Sequence, residues 1–156
     1  MNSQKTRYRF DAYHVLPDSP LMQHNFLFAL ASLEARSDHP LAADVLRVAR
    51  INGVRPSEVT GFQEFPQRGL GGLIQLPHEQ RPRAIVVGSR EFIAECGLQL
   101  PDILEVTVRK WTGEPHATVA LGGWDGWVRG VVKWERRHSG ESRNPVQSTG
   151  PRPAPG

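Results

Sequence analysis

The sequence predicts an α+β domain, a twisted and mostly antiparallel sheet of about six strands flanked by helical hairpins. Three observations predict it. Apolar residues recur at helical spacing on both sides of Ser37-Asp38-His39-Pro40. Beyond residue 54, short runs rich in valine, isoleucine and aromatics alternate with glycine and proline, as strands and tight turns do. Trp124-Asp125-Gly126 separates two such runs and is a strong hairpin signal. The helices are expected to cover one side of the sheet.

Residues 8–16 mix Tyr, Phe and Val with polar neighbours and read as the opening strand. Asp18-Ser19-Pro20 starts a helix carrying Leu21, Met22, Phe26, Leu30 and Leu33 on its apolar stripe. A second helix is expected from Pro40, at its first position, to about Ile51, with Ser37, Asp38 or His39 at or beside the cap. His39 is thereby fixed at an exposed corner, and Glu34 lies about one turn back at the end of the preceding helix. An imidazole there can stack on a ring, and the carboxyl can take a proton donor of the same ligand.

Gly61–Phe65 reads as a strand, Pro66–Gly72 as a glycine-rich bend, and Leu73–Leu76 as the next strand. Arg83–Val87 is a compact buried strand ending at Gly88-Ser89. Ser89 caps a short helix, Arg90–Cys96, that Gly97 closes. The segment 99–116 is ambiguous, with part of a strand near Ile103–Val108. Ala117–Leu121 and Trp127–Trp134 then form the closing hairpin. Residues 1–134 are therefore taken as one domain. The Pro/Gly-rich remainder, 135–156, lacks apolar periodicity and reads as a disordered basic tail.

The chain has 156 residues, a net charge of +3 and one cysteine, Cys96. No apolar run approaches the roughly 20 residues that span a bilayer, no signal-peptide pattern opens the chain, and a lone cysteine fits a reducing compartment. A monomeric cytoplasmic unit without membrane insertion is expected. The basic charge does not point to nucleic acid. Residues 1–132 carry 14 Lys/Arg and 14 Asp/Glu, and the excess lies in 133–156, with 5 basic and 2 acidic residues.

Motifs narrow the chemistry further. Gly69-Leu70-Gly71-Gly72 lies between strands, so it is not a strand-to-helix dinucleotide fingerprint, and no P-loop occurs. Missing Cβ atoms there let a backbone approach a ligand closely, and Arg68 adds a charge beside it. The six histidines are scattered without metal-ligand spacing, so no metal site is expected. Cys96 reads as a small buried hydrophobe, and the four tryptophans as core and turn packing.

Taken in order, these segments resemble the nucleotide-binding domain of heavy-metal (copper/zinc-type) P-type ATPases. Glu34-Ala-Arg-Ser-Asp-His39-Pro-Leu-Ala is similar to that family's Ser-Glu-His-Pro-Leu motif with its upstream glutamate. Gly69-Leu-Gly71 follows a proline as the family's glycine loop does. Val87-Gly88-Ser89-Arg90 resembles its Gly-Asn-Arg segment, and Asp125-Gly126 with Gly130-Val131-Val132 its closing hairpin. The resemblance covers residues 8–134. It implies that His39 stacks on adenine, that Glu34 contacts the base, that Gly69 and Gly71 let the nucleotide lie against the backbone, and that Gly88 and Ser89 support the pocket wall.

Two departures are visible: Gln67 replaces the first glycine of many members' loops, and Ser89 replaces the common asparagine. The family's phosphorylated Asp-Lys-Thr-Gly-Thr is absent from the chain. The implied ligand is ATP, as Mg-ATP, with the γ-phosphate presented to a phosphorylation domain of a parent ATPase that also has transmembrane domains. The tail lacks the family's return to that domain, which favours a truncated frame or fusion boundary. An alternative is a standalone module of this fold with weak or no nucleotide binding, acting in protein interaction or regulation.

Overall fold

A computed structural model describes residues 6–138. Its single sheet has six strands: β1 (Thr6–Val15), β2 (Thr60–Phe65), β3 (Gly69–Ile74), β4 (Arg83–Gly88), β5 (Ala117–Trp124) and β6 (Trp127–His138). Their order is β1-β6-β5-β4-β3-β2, and every neighbouring pair is antiparallel. The β5–β6 hairpin turns at Asp125 and Gly126, both at positive φ (54° and 82°), the backbone that a two-residue turn between twisted strands requires.

Two helices bridge β1 to β2 across one face. α1 (Pro20–Glu34) begins as its sequence implies, with the Ser19 hydroxyl accepting from the Met22 N–H at 3.2 Å and Pro20 in the first turn. α2 (Ala42–Ile51) starts two residues later than Pro40 suggests. Leu41 is its cap residue and makes no side-chain capping bond. The reason is local: the His39 carbonyl accepts from Ala42 N–H at 2.9 Å, so Pro40 and Leu41 form a turn ahead of the helix.

The opposite face carries α3 (Arg90–Glu95) and α4 (Asp102–Thr112). Ser89 caps α3, its hydroxyl accepting from Phe92 N–H at 3.1 Å, and Gly97 follows it at φ 86°. α4 corrects the expectation of a strand near Ile103–Val108. Leu104 and Val108 are buried and Trp111 packs beside them, whereas Ile103 and Val106 face outward. That spacing of four and three is helical. Asp102 and Glu105 at its start and Arg109 and Lys110 at its end suit the helix dipole, and outweigh the β-branched composition. Both faces of the sheet are consequently covered, rather than the one expected.

Strand alternation divides the core accordingly. Ile85, Val87, Val132 and Trp134 join the α1–α2 cluster, while Val86, Leu121 and Val131 join the α3–α4 cluster. Three further expectations change. The glycine-rich stretch is not a bend but the first four residues of β3, the turn being 66–68. β6 runs past Trp134 to His138, with Arg136 opposite Tyr8 and Arg137 opposite Arg7, so residues 135–138 are strand and not tail. Cys96 is exposed, with partial desolvation and then the Glu95 charge holding its thiol above the ordinary value. The rest of the expected tail, 139–156, lies outside the described residues.

Candidate nucleotide-binding site

A cleft of about 290 Å³ opens on the α1–α2 face, between the α1–α2 turn and the ends of β2, β3 and β4. That is near the lower bound of small-ligand sites, roughly 300 Å³. Glu34, His39, Gly69, Gly88 and Ser89 all line it, although 55 positions separate the first from the last. Gly71 is the predicted residue that does not. It lies inside β3, opposite Gln63 and Val86, where an added Cβ would stand 3.2 Å from Val86 Cγ1.

The turn that carries His39 is tightly specified. Ser37 N–H donates to the Glu34 carbonyl at 3.0 Å, and the Ser37 hydroxyl accepts from His39 N–H at 3.0 Å. His39 Nδ1 then accepts from Leu41 N–H at 3.1 Å, which leaves the ring proton of the neutral form on Nε2. Behind the turn, the fully buried Trp134 donates its indole N–H to the Leu41 carbonyl at 3.2 Å, tying the turn to β6. The Tyr8 ring lies 6.3 Å from that of His39, tilted by 48°. Leu41, Leu70, Val87 and Ala120 make the floor apolar.

The facing wall is built from backbone. Gly69 and Gly88 are directly paired across β3 and β4. A Cβ on Gly88 would meet the Arg68 carbonyl at 2.2 Å, and one on Gly69 the Val87 carbonyl at 2.4 Å; Phe92 beneath leaves neither room. Packing alone thus demands glycine at both positions, since a Cβ there would drive into Phe92 on the α3 side of the sheet. Gln67 stands at the cleft mouth with φ 63°, a left-handed backbone that glycine adopts without strain.

Glu34 is the chemically unusual member. It is 4% exposed, and burial first and the Glu64 charge second push its carboxyl up to about 7. Glu64, from β2, also lines the cleft and accepts weakly from the Ser37 hydroxyl at 3.4 Å. Tyr8 and Glu64 were not singled out from the sequence, since only strand register brings them here. Among the described residues, no group of three or more His, Cys, Asp or Glu side chains gathers as for a metal, and no helix is long and apolar enough to cross a membrane.

This is the fold of the N-domains of copper-transporting P-type ATPases. The N-domain of HMA6 superposes with a TM-score of 0.62 at 17% identity, over 83% of this chain and 99% of that one. A zinc-transporting PIB-type ATPase superposes with a TM-score of 0.66 at 14% identity, over 85% of this chain and 19% of that one. In sequence, the chain is 33% identical over 116 residues to the copper-exporting P-type ATPase B of Archaeoglobus fulgidus, covering 74% of this chain and 15% of that protein. It is 33% identical over 109 residues to the copper-exporting P-type ATPase of Vibrio cholerae, covering 69% and 11%. The resemblance to heavy-metal P-type ATPases read from the motifs is borne out. The chain spans between 8% and 16% of the length of the curated relatives it matches. No protein-family model matches the sequence.

Proposed function

We propose that this chain is the ATP-binding domain of a heavy-metal-translocating P-type ATPase. It holds the adenine and presents the γ-phosphate to a phosphorylation domain outside these 156 residues. The observation that carries this reading is the convergence of Glu34 and His39 with the Gly69–Gly88 strand pair on one apolar cleft. A planar base fits between an imidazole and a flat backbone wall, a carboxyl reaches its polar edge, and the floor excludes water. A nearby solved structure, of the catalytic domain of the CPx-ATPase CopB-B, is described as changing conformation upon nucleotide binding. In this role the domain works at the cytoplasmic side of a membrane, alongside the phosphorylation and transmembrane domains of its parent. Magnesium arrives with the ATP phosphates.

In this reading His39 stacks on the base, Gly69 and Gly88 admit it, and Ser89 shapes the wall by capping α3. Gly71, outside the cleft, takes no direct part in this reading. The test is a calorimetric or NMR titration with ATP, ADP and GTP, repeated on His39→Ala. Base stacking is worth roughly 1–3 kcal/mol, so the substitution should weaken ATP by about fivefold to about 150-fold. The shift perturbations should centre on Glu34, His39 and Gly69.

One observation favours the second reading, a module of this fold that has lost nucleotide binding. Gln67 places a side chain at the cleft mouth where glycine would leave it open. Saturable, adenine-selective binding that His39→Ala weakens rejects that alternative. A folded wild type that binds no nucleotide rejects the first.

A further inference from the structure

Glu34 is a carboxyl whose burial and nearest acidic neighbour both oppose its charge. It is the last residue of α1, where the peptide dipoles present partial negative charge, and no basic residue occupies that turn. Glu64 faces it from β2 across the same cleft. Arg36, two residues on in the chain, and Arg68, which lines the cleft, are engaged elsewhere. Arg36 donates to the Val59 carbonyl at 2.9 Å and lies over the Phe62 ring, and Arg68 pairs with Glu95 over Phe92. Tyr8 from β1, Ser37 and His39 from the turn, Gln67, Ser89 and Thr118 are the other polar groups lining the cleft. No hydrogen bond from the described residues stabilises the Glu34 anion, and its carboxyl is pushed up to about 7.

We propose that Glu34 reads the base as an uncharged carboxyl, and that its ionisation state sets the choice between adenine and guanine. This rests on the nucleotide reading of the cleft. The pairing edge of adenine offers a donor, the exocyclic amine, beside an acceptor, the ring nitrogen N1. A neutral carboxyl offers the complement, a carbonyl that accepts and an O–H that donates. A carboxylate only accepts, so against adenine it keeps one bond and sets a lone pair against N1. Guanine offers two donors, N1–H and the exocyclic amine, which a carboxylate satisfies and a neutral carboxyl does not. Leaving a buried polar group unpaired is what makes such a site selective.

The experiment reads the ATP-to-GTP affinity ratio by calorimetry at about pH 6 and about pH 8, where any titration of the phosphates affects both ligands and cancels. Wild type should lose between about tenfold and about a hundredfold in that ratio as the neutral fraction of Glu34 falls and the ionised fraction rises. Glu34→Gln, whose amide is a permanently neutral donor–acceptor pair, should keep the adenine preference at both pH values. A ratio that ignores pH in wild type overturns the inference. So does a pH dependence that survives in Glu34→Gln, which would assign it to a group other than Glu34. Failure of both nucleotides to bind at both pH values overturns the nucleotide reading, and this inference with it. On the unmodified chain, the Glu34 carboxyl ¹³C resonance titrated with and without adenosine gives an independent answer. Adenosine should move the titration to higher pH, and movement to lower pH refutes the uncharged carboxyl.

Discussion

At Glu34, folding and recognition favour the same protonation state. Its native carboxyl titrates at about 7 against an ordinary value of 4.5, so the native state holds the proton more tightly than the unfolded chain. The contribution is full below 4.5 and is lost as pH rises through about 7. The loss is at most about 3 kcal/mol. Glu34→Gln keeps the shape without the charge. In urea unfolding it should match wild type at about pH 5 and exceed it by roughly 1–3 kcal/mol at about pH 8; equal stabilities at both would show that Glu34 ionises freely. Local spacing is legible in the chain, and long-range strand register is not. The spacing of Glu34 and His39 around one turn could be read from the chain, as could Gly88-Ser89 at a strand-to-helix junction. Tyr8 and Glu64 could not, because they reach the cleft through strand register over long separations. Gly71 shares a motif with Gly69 but lies two residues, about 7 Å, further along the strand and away from the cleft at its end.

Helix α1 owes its position to a groove made of missing side chains. Gly122 and Gly130 are paired across β5 and β6, and the Phe26 ring rests on them; a Cβ on Gly130 would stand 2.7 Å from Phe26 Cε1 and Cζ. Gly130→Ala should therefore lift α1 from the sheet at a cost of about 1–3 kcal/mol. Because Glu34 ends that helix, ATP affinity should fall as well, although residue 130 is not a cleft residue. Thermal unfolding and an ATP titration of the one variant measure both effects, and a destabilised protein with unchanged affinity would uncouple helix seating from the site. The sequence disclosed α1 through its cap and stripe, and the hairpin through Asp125-Gly126. It concealed α4, because Ile103, Val106 and Val108 suggest a strand until Leu104, Val108 and Trp111 are seen to share one face. It also concealed the extension of β6 to His138, a polar strand end held by pairing with β1 rather than by any apolar pattern of its own.

Across the whole molecule, the cleft is assembled from every strand of the sheet. Tyr8 comes from β1, Glu64 from β2, Gly69 from β3, Gly88 from β4, Thr118 from β5 and Trp134 from β6, while Glu34 and His39 arrive from the helical layer. A ligand seated there touches elements that no partial unfolding could release without disrupting the site. Binding energy should therefore appear as stability of the entire described unit. At a free ATP concentration a hundred times Kd, linkage gives about 2.7 kcal/mol, which for a domain of this size raises the unfolding midpoint by roughly 5–15 °C. Calorimetry should show the whole transition moving as one peak with ATP, and His39→Ala should shrink the shift without lowering the midpoint of the free protein appreciably, because His39 is exposed. Two peaks, only one of them moved by ATP, would mean that the α1–α2 layer and the α3–α4 layer fold as separate units, and that the nucleotide grips the first alone.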